Sequence, residues 1–298
     1  MKYEFIQAHQ DEYRVVKMCE VLKVSKSGYY KWLHSKDEVS ERKQRQEELR
    51  RKISKSYHES GGTYGSPRIH QDLLEWGYIV SQKTVARLMR EMELTAIPES
   101  KYITTTDSNH EEFVYPNLLE RQFMVEAPNT AWVADITYIW TVEGWLYLAS
   151  IMDLFSRKIV GWSLDVTMKK ELPLEALEEA LTLRQPQGEL IHHSDRGSQY
   201  CSTEYIQTLN NHVESKVGIS MSRKGNPYDN ACIESFHATI KKELIYRRRF
   251  KTRKEAIDAI THYIDHFYNG KRRHSTLGYL SPNDFEKEYH QNPKVKIA

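Results

Sequence analysis

The chain has 298 residues, 39% of them apolar and 11% aromatic, enough to bury cores in two or three domains and to exclude a disordered polypeptide. Its 43 Lys and Arg against 41 Asp and Glu leave it almost neutral, so net charge alone points to no partner. Three widely separated cysteines, Cys19, Cys201 and Cys232, form no CxxC pair, which argues against a disulfide framework or a structural zinc module, and with neither a signal-peptide core nor an apolar run of spanning length the expectation is a cytoplasmic protein.

Residues Val15 to Trp32 place apolar side chains at Val16, Met18, Cys19, Leu22 and Val24 before a break at Ser25, Ser27 and Gly28, the pattern of a helix-turn-helix. Positions 36–55 carry alternating charges with few apolar residues beyond Leu49 and Ile53, and read as a solvated or linker helix. After breaks at Gly61, Gly62 and Gly65, Pro67 suits the first turn of a helix with Ile69, Leu73 and Leu74 apolar. Gly77 ends it, and Ser81 caps a further helix in which Val85, Leu88 and Met89 face inward while Lys83, Arg87 and Arg90 stay outside. That is the form of a second helix-turn-helix reading DNA through Lys83, Arg87 and Arg90; the alternative is a plain three-helix bundle with surface cations. The expected divisions are a helical segment at 1–50, a DNA-binding domain at 51–99 and a linker at 100–127, rich in Thr, Ser, Asn and Pro.

From residue 128 three β-rich runs, Thr130 to Thr141, Trp145 to Phe155 and Lys158 to Val166, are joined by tight turns at Glu143-Gly144 and Ser156-Arg157. A helix with Leu172, Leu174, Leu177 and Leu181 at helical spacing follows, then a short strand ending GELIHHSD, the helix STEYIQTLNNHV, a strand around Val217 to Met221, and a helix from Ala231. This order predicts an α/β fold: a ribonuclease-H-like core with a mixed five-stranded sheet over 128–248, preceded by the all-α helix-turn-helix region. Residues 249–298 hold a basic helix, Arg253 to Tyr268, and a basic, aromatic loop, Tyr268 to Pro282. Between Lys241 and Lys254 eight basic residues stand against one acid, a block that seeks phosphate or stays solvated.

Three acids stand out. Asp135 lies inside WVADITYIW, where an ionised side chain needs a partner or a cation. Asp195 follows the fourth strand in HHSDRGSQY, and Glu234 sits one turn into the helix after the turn-forming Gly225 to Asn230, sharing a face with Ala238 and Lys241. In the predicted topology the first and fourth strands are neighbours and the Glu234 helix crosses the same edge, so the three carboxylates converge. Clustered carboxylates favour Mg²⁺, or Mn²⁺ in its place, and two such ions ~4 Å apart would activate an attacking oxygen and stabilise a leaving oxygen at one phosphorus. His192 and His193 are adjacent strand residues on opposite faces and cannot both bind metal. Asp153 reads as structural, Cys232 as packing, and Arg272, Arg273 and His274 as phosphate contacts.

The segments WVADITYI, DLFSRKIVGWSL, HSDRGSQY, SMSRKGNPYDNACIESFHATIKKE and YIDHFYNGKRRHSTLGYLSP together resemble the catalytic subunit of bacterial insertion sequences of the insertion-sequence-three family, related in fold to retroviral integrases. The resemblance extends to GTYGSPRIHQDLLEWGYIVSQKTVARLMREM in the amino-terminal part. It implies a DDE transposase, a polynucleotidyl transferase that binds its element's terminal inverted repeats and performs Mg²⁺-dependent 3′-end cleavage by water, then strand transfer by the freed 3′-OH. By the same resemblance Asp135, Asp195 and Glu234 are the catalytic and metal-binding acids, with two ions per site implied by the chemistry. Lys241 contacts DNA near the reacting end, Tyr228 and Asn230 line the approach to the scissile phosphate, and Arg223 and Lys224 are further DNA contacts. The implied partners are end and target DNA, a second copy in the synaptic complex and an upstream-frame protein, in a bacterial nucleoid. The 38 residues between Asp195 and Glu234 are a few more than the family's usual spacing; the surplus is assigned to the loop around Asn210 to Ser215. The loop from Arg223 to Tyr228 is expected to stay mobile until DNA binds. Two other functions fit parts of the pattern: a ribonuclease-H-like nuclease that hydrolyses without joining, and a non-catalytic DNA-binding regulator.

Overall fold

A computed structural model describes residues 1–36, 41–96, 113–212 and 214–291. The chain divides into two compact units, Met1–Thr95 and Ala96–Ala298. Among the described residues no helix is long and apolar enough to cross a membrane.

The first unit is all helical. Helices α1 (Lys2–Ala8), α2 (Val15–Val21) and α3 (Lys26–Lys36) close on a small core of Ile6, Met18, Cys19 and Tyr29, while Val16 turns outward. Helix α4 (Glu41–Glu59) is more than a solvated linker: it buries Leu49 and Ile53, and Ser56 donates to Asp72 at 2.5 Å. It also runs unbroken across positions 50 and 51, the expected boundary between the helical segment and the DNA-binding domain. Pro67 opens α5 (Ser66–Glu75), and the Ser81 hydroxyl accepts the Thr84 N–H at the start of α6 (Gln82–Glu91). Ile69, Leu73, Val85 and Leu88 are wholly buried between these helices.

The second unit is a five-stranded mixed sheet in the order β3-β2-β1-β4-β5. Strands β1 (Ala131–Thr141), β2 (Gly144–Asp153) and β3 (Ile159–Asp165) form the antiparallel meander, and β4 (Gly188–Ser194) and β5 (Ser215–Met221) run parallel to β1. One face is covered by α7 (Glu171–Arg184) and α8 (Thr203–Asn210). Helix α7 lies so close to β3 that a Cβ on Gly161 would come within 2.2 Å of the Ala176 carbonyl oxygen, which explains glycine there. The other face takes α9 (Ala231–Glu243), whose Ile233, Phe236 and Ile240 join Val133, Ile139 and Leu148. Helix α10 (Arg253–His262) adds Ile260 to this layer and continues as a π-helical turn over Tyr263–Tyr268.

Two features depart from the sequence reading. Residues 113–127 were expected to be linker, yet Leu119 is buried in the α9-side core and the Leu118 and Leu119 N–H groups donate to Ser220 Oγ at 2.8 and 3.2 Å. A further helix, α11 (Pro282–Gln291), packs Phe285 against Phe155. It also delivers Glu286 to Arg184, which bridges Glu286 and the wholly buried Asp153 at 2.8 and 3.0 Å. Asp153 is thus structural, and Arg184 ties β2, α7 and α11 together. Arg184→Met would leave two buried carboxylates without their main counter-charge; a loss of about 3–5 kcal/mol is expected in urea unfolding, and a loss under 1 kcal/mol would show that the bridge is dispensable.

Candidate active site

Strand register brings the first two acids together. Parallel pairing of β1 with β4 ends at Ala134↔Ser194, so Asp135 and Asp195 are the next residues on adjacent strands. Asp195 lies at the carboxyl end of β4, where the chain turns and the Gly197 N–H donates to Asp195 Oδ1 at 2.8 Å. Glu234 arrives from the opposite direction, in the first turn of α9.

The position of α9 is set by polar contacts that the sequence does not reveal. Asn230, at the helix start, donates from Nδ2 to the Ala134 carbonyl at 3.0 Å, one residue before Asp135. Asp229, wholly buried, accepts from the Arg223 N–H (3.0 Å), Arg223 Nε (2.8 Å) and Nη2 (2.6 Å), Arg121 Nε (2.8 Å) and Asn117 Nδ2 (3.0 Å). These donors hold its carboxyl well below the usual range, Arg223 most strongly. The loop from Arg223 to Tyr228, expected to be mobile, is therefore clamped at its base, with only its tip around Gly225 open.

One turn after Glu234, wholly buried His237 lies 3.1 Å through Nδ1 from Asp135 Oδ2 and 2.7 Å through Nε2 from Ser150 Oγ. Ser150 is the cross-strand partner of Asp135, so strand, strand and helix meet in one chain of hydrogen bonds. With Nδ1 protonated, His237 donates to the carboxylate and accepts from the serine, which fixes one Asp135 oxygen and leaves the other for a ligand. Sequence reasoning missed both residues. The available signal was the three-residue step from Glu234 to His237, which puts them on one helix face.

The acids feel one another. Burial first, then the charges of Asp135 and Asp195, push the Glu234 carboxyl up to about 7. The donors are oxygen only, and a divalent cation would relieve the repulsion that favours a proton on Glu234, so the residues fit such an ion. As the side chains stand, no group of three His, Cys, Asp or Glu among the described residues is gathered closely enough to hold one. The two strand histidines stand apart from this set. His192, 2.8 Å from the Tyr205 hydroxyl, is pushed down to about 3 by burial, and His193, between Ser220 and Ser222, to about 4. Both are neutral and internal.

The expected DNA contacts divide. On α6 Lys83, Arg87 and Arg90 are exposed, though Arg87 is paired with Glu91, which also takes Arg50. Tyr228 is exposed with Arg121 over its ring, Lys224 is exposed, and Arg223 is half-exposed on Asp229. Arg272 must be reassigned: it is buried and makes three hydrogen bonds of 2.8–3.1 Å to Glu243, an internal pair beyond the reach of phosphate. Asn230 is likewise a brace inside the fold, buried rather than lining an approach. Arg273 donates to the Tyr279 carbonyl at 3.1 Å and is partly exposed. Lys241 is mostly buried, with its ammonium 4.5 Å from the Tyr138 ring centroid. Burial lowers its pKa, and the charge of Asp135 opposes the shift. Cys232 accepts from Arg157 Nη1 at 2.9 Å, and burial pushes its thiol up, as suits a packing residue.

An integrase core domain family matches residues 125–227, a second integrase core domain family matches 215–282, and an HTH-like domain family matches 43–102. The chain is 48% identical over 276 residues to an uncharacterized 31 kDa protein of insertion element IS600 from Shigella sonnei, covering 92% of this chain and 99% of the relative. It is 40% identical over 288 residues to the transposase InsF for insertion sequence IS3A of Escherichia coli K12, covering 97% and 99%. Among solved structures it is similar to the simian T-cell lymphotropic virus intasome, at 13% identity and a TM-score of 0.45, over 78% of this chain and 74% of that one. It is also similar to the HTLV-2 integrase catalytic core domain with magnesium, at 16% identity and a TM-score of 0.38, over 53% and 97%.

Glu234 has a folded value near 7, above its ordinary 4.5, so it costs nothing below about pH 4.5 and destabilises increasingly as pH rises through 7. In EDTA, Glu234→Gln is expected to raise the Tm at pH 8 and to leave it nearly unchanged at pH 5; equal shifts at both would mean the three acids are not crowded. His237→Ala is expected to weaken Mn²⁺ binding about 10–100-fold in calorimetry, and unchanged affinity would remove His237 from the site.

Proposed function

The chain belongs to the IS3 family of insertion-sequence transposases, and from this premise we propose that it cleaves the 3′ ends of its element and joins them to target DNA at the site built by Asp135, Asp195 and Glu234. It is a DNA transposase with a helix-turn-helix-like region and an integrase core. The observation that supports the site assignment best is the strand register that makes Asp135 and Asp195 neighbours, with the Glu234 carboxyl raised first by burial and then by their two charges.

Asp135, Asp195 and Glu234 would hold divalent cations, Mg²⁺ or Mn²⁺ and two per site. When bound, such ions supply Lewis acidity toward the phosphodiester and charge neutralisation at the attacking and leaving oxygens. The protein's own part is positioning. His237 keeps one oxygen of Asp135 engaged and the other available, and the Asn230 brace sets the start of α9 against β1. Ile233, Phe236 and Ile240 hold the inner side of α9 against the sheet, which keeps Glu234 beside the carboxyl end of β4. Attack by water yields the cleaved 3′ end; attack by that 3′-OH yields the joined strand. Tyr228, Lys224 and Arg273 are the exposed or partly exposed groups that would receive DNA on the core unit, and α6 would read the terminal inverted repeats through Lys83, Arg87 and Arg90. Synapsis of two ends calls for at least two copies of the chain.

Asp135→Asn, Asp195→Asn and Glu234→Gln are each expected to lower cleavage and strand transfer of labelled end DNA by about a thousandfold or more, with duplex binding reduced less than tenfold. A strand-transfer assay that gave hydrolysis products and no joined species would reduce the protein to a nuclease. Full activity in any one variant would break the assignment of that residue.

A further inference from the structure

The far end of the β1–β2 hairpin carries exposed aromatic rings. Helices α7 and α8 pack against Trp132, Ala134 and Ile136 of β1, and Tyr138 and Trp140 continue the same face beyond them. Trp145 is the cross-strand partner of Trp140. The two indoles meet edge to face at 4.8 Å, and Tyr138 meets Trp145 edge to face at 5.3 Å. Trp140 remains 59% exposed and Trp145 43% exposed. Exposed aromatic rings gathered into one patch mark a contact surface.

The ridge is flanked by the basic block that the catalytic centre does not use. The segment after α9 is stitched to the hairpin: the Val142 N–H donates to the Phe250 carbonyl at 3.1 Å, and Arg253 donates to Glu143 at 2.8 Å and to the Trp145 carbonyl at 3.2 Å. Arg247, Arg248, Arg249 and Lys251 are exposed beside it. At its inner end Lys241 sits over Tyr138, three residues or about 10 Å along β1 from Asp135. Trp140 is about 17 Å from the same carboxylate. Strand alternation sets Asp135 on the α9 face and Tyr138 and Trp140 on the other, so the rings and cations adjoin the reacting centre along the strand without sharing its face.

Resting on the transposase reading above, we propose that Tyr138, Trp140 and Trp145, with the cations of residues 247–251, form a stacking platform for unpaired bases of the DNA strand that enters or leaves the active site. The occupant follows from the chemistry. Duplex DNA hides its base faces within the stack, whereas unpaired bases expose π-faces that aromatic side chains bind without regard to sequence, and the adjacent cations track the phosphates. A second copy of the chain is the poorer fit, because a two-fold contact through this patch would set the two basic segments against each other.

The test uses the full chain in EDTA, with affinities for a short oligothymidylate and for a blunt end-sequence duplex measured at one salt concentration. Changing Trp140 and Trp145 together to Ala is expected to weaken oligothymidylate binding about tenfold or more, and changing both to Phe by about threefold or less. Blunt-duplex affinity should stay within about twofold for both variants. The platform is refuted if the wild type binds the duplex but not the oligothymidylate, if the Ala variant loses nothing, or if it loses equally on both DNAs. A change in sedimentation with unchanged oligothymidylate affinity would also overturn it, and would make the ridge a self-association surface. Failure of the wild type to bind the duplex would count against the transposase reading itself, leaving the oligothymidylate comparison to decide the platform.

Discussion

Everything at the candidate site depends on where β1 and β4 stop pairing. Parallel strands hold register through slanted, evenly spaced hydrogen bonds, and a slip of one residue would turn every side chain to the opposite face. The ladder ends at Ala134↔Ser194, and the next residue on each strand is an aspartate. Below that point the β1 side chains are apolar and buried: Trp132 and Ala134 on one face, Ala131 and Val133 on the other. Burial of those four residues therefore fixes the placement of two charges, and the cost of a displaced ladder would fall on the core before it reached the active site.

The third acid is placed by different means. A helix laid on a sheet by Ile233, Phe236 and Ile240 alone could slide or roll by a fraction of a turn at little cost. Directional contacts remove that freedom: Asn230 to the Ala134 carbonyl, His237 to Asp135 and Ser150, and Lys241 over Tyr138. All three bind the same strand, β1, within a span of five residues. Helix α9 is thus packed by apolar residues and indexed by polar ones, and Glu234 lies between two of the indexing contacts.

Much of this was legible in the sequence, and the boundary of legibility has a physical cause. The strand order, the approach of Asp135 to Asp195 and the opposite faces of His192 and His193 follow from periodicity, from the cost of an acid in an apolar strand and from family resemblance, because each needs only local pattern and topology. Arg272 was misread because a basic loop looks the same whether its cations face phosphate or a buried Glu243 twenty-nine positions upstream. Asn230 was misread for a similar reason, since a turn-forming asparagine gives no sign that its amide will reach β1. His237, Ser150 and the packing of residues 113–127 went unseen because they become meaningful only once distant segments are in register. What sequence conveys poorly is long-range polar pairing.

The Asp229 cluster bears on where the catalytic domain begins. Integrase-core similarity starts at residue 125, yet two of the donors that neutralise Asp229 come from Asn117 and Arg121, and Leu119 fills part of the core. The packed unit therefore begins upstream of the region that the integrase core family matches. During synthesis this early segment leaves the ribosome before any strand of the sheet, and it finds its partners only after β5 and Asp229 have followed, about a hundred residues later. The loop that carries the chain into α9 is therefore anchored by a segment made about a hundred residues before it, and a chain cut at residue 125 would keep all three acids while losing two of the groups that hold Asp229.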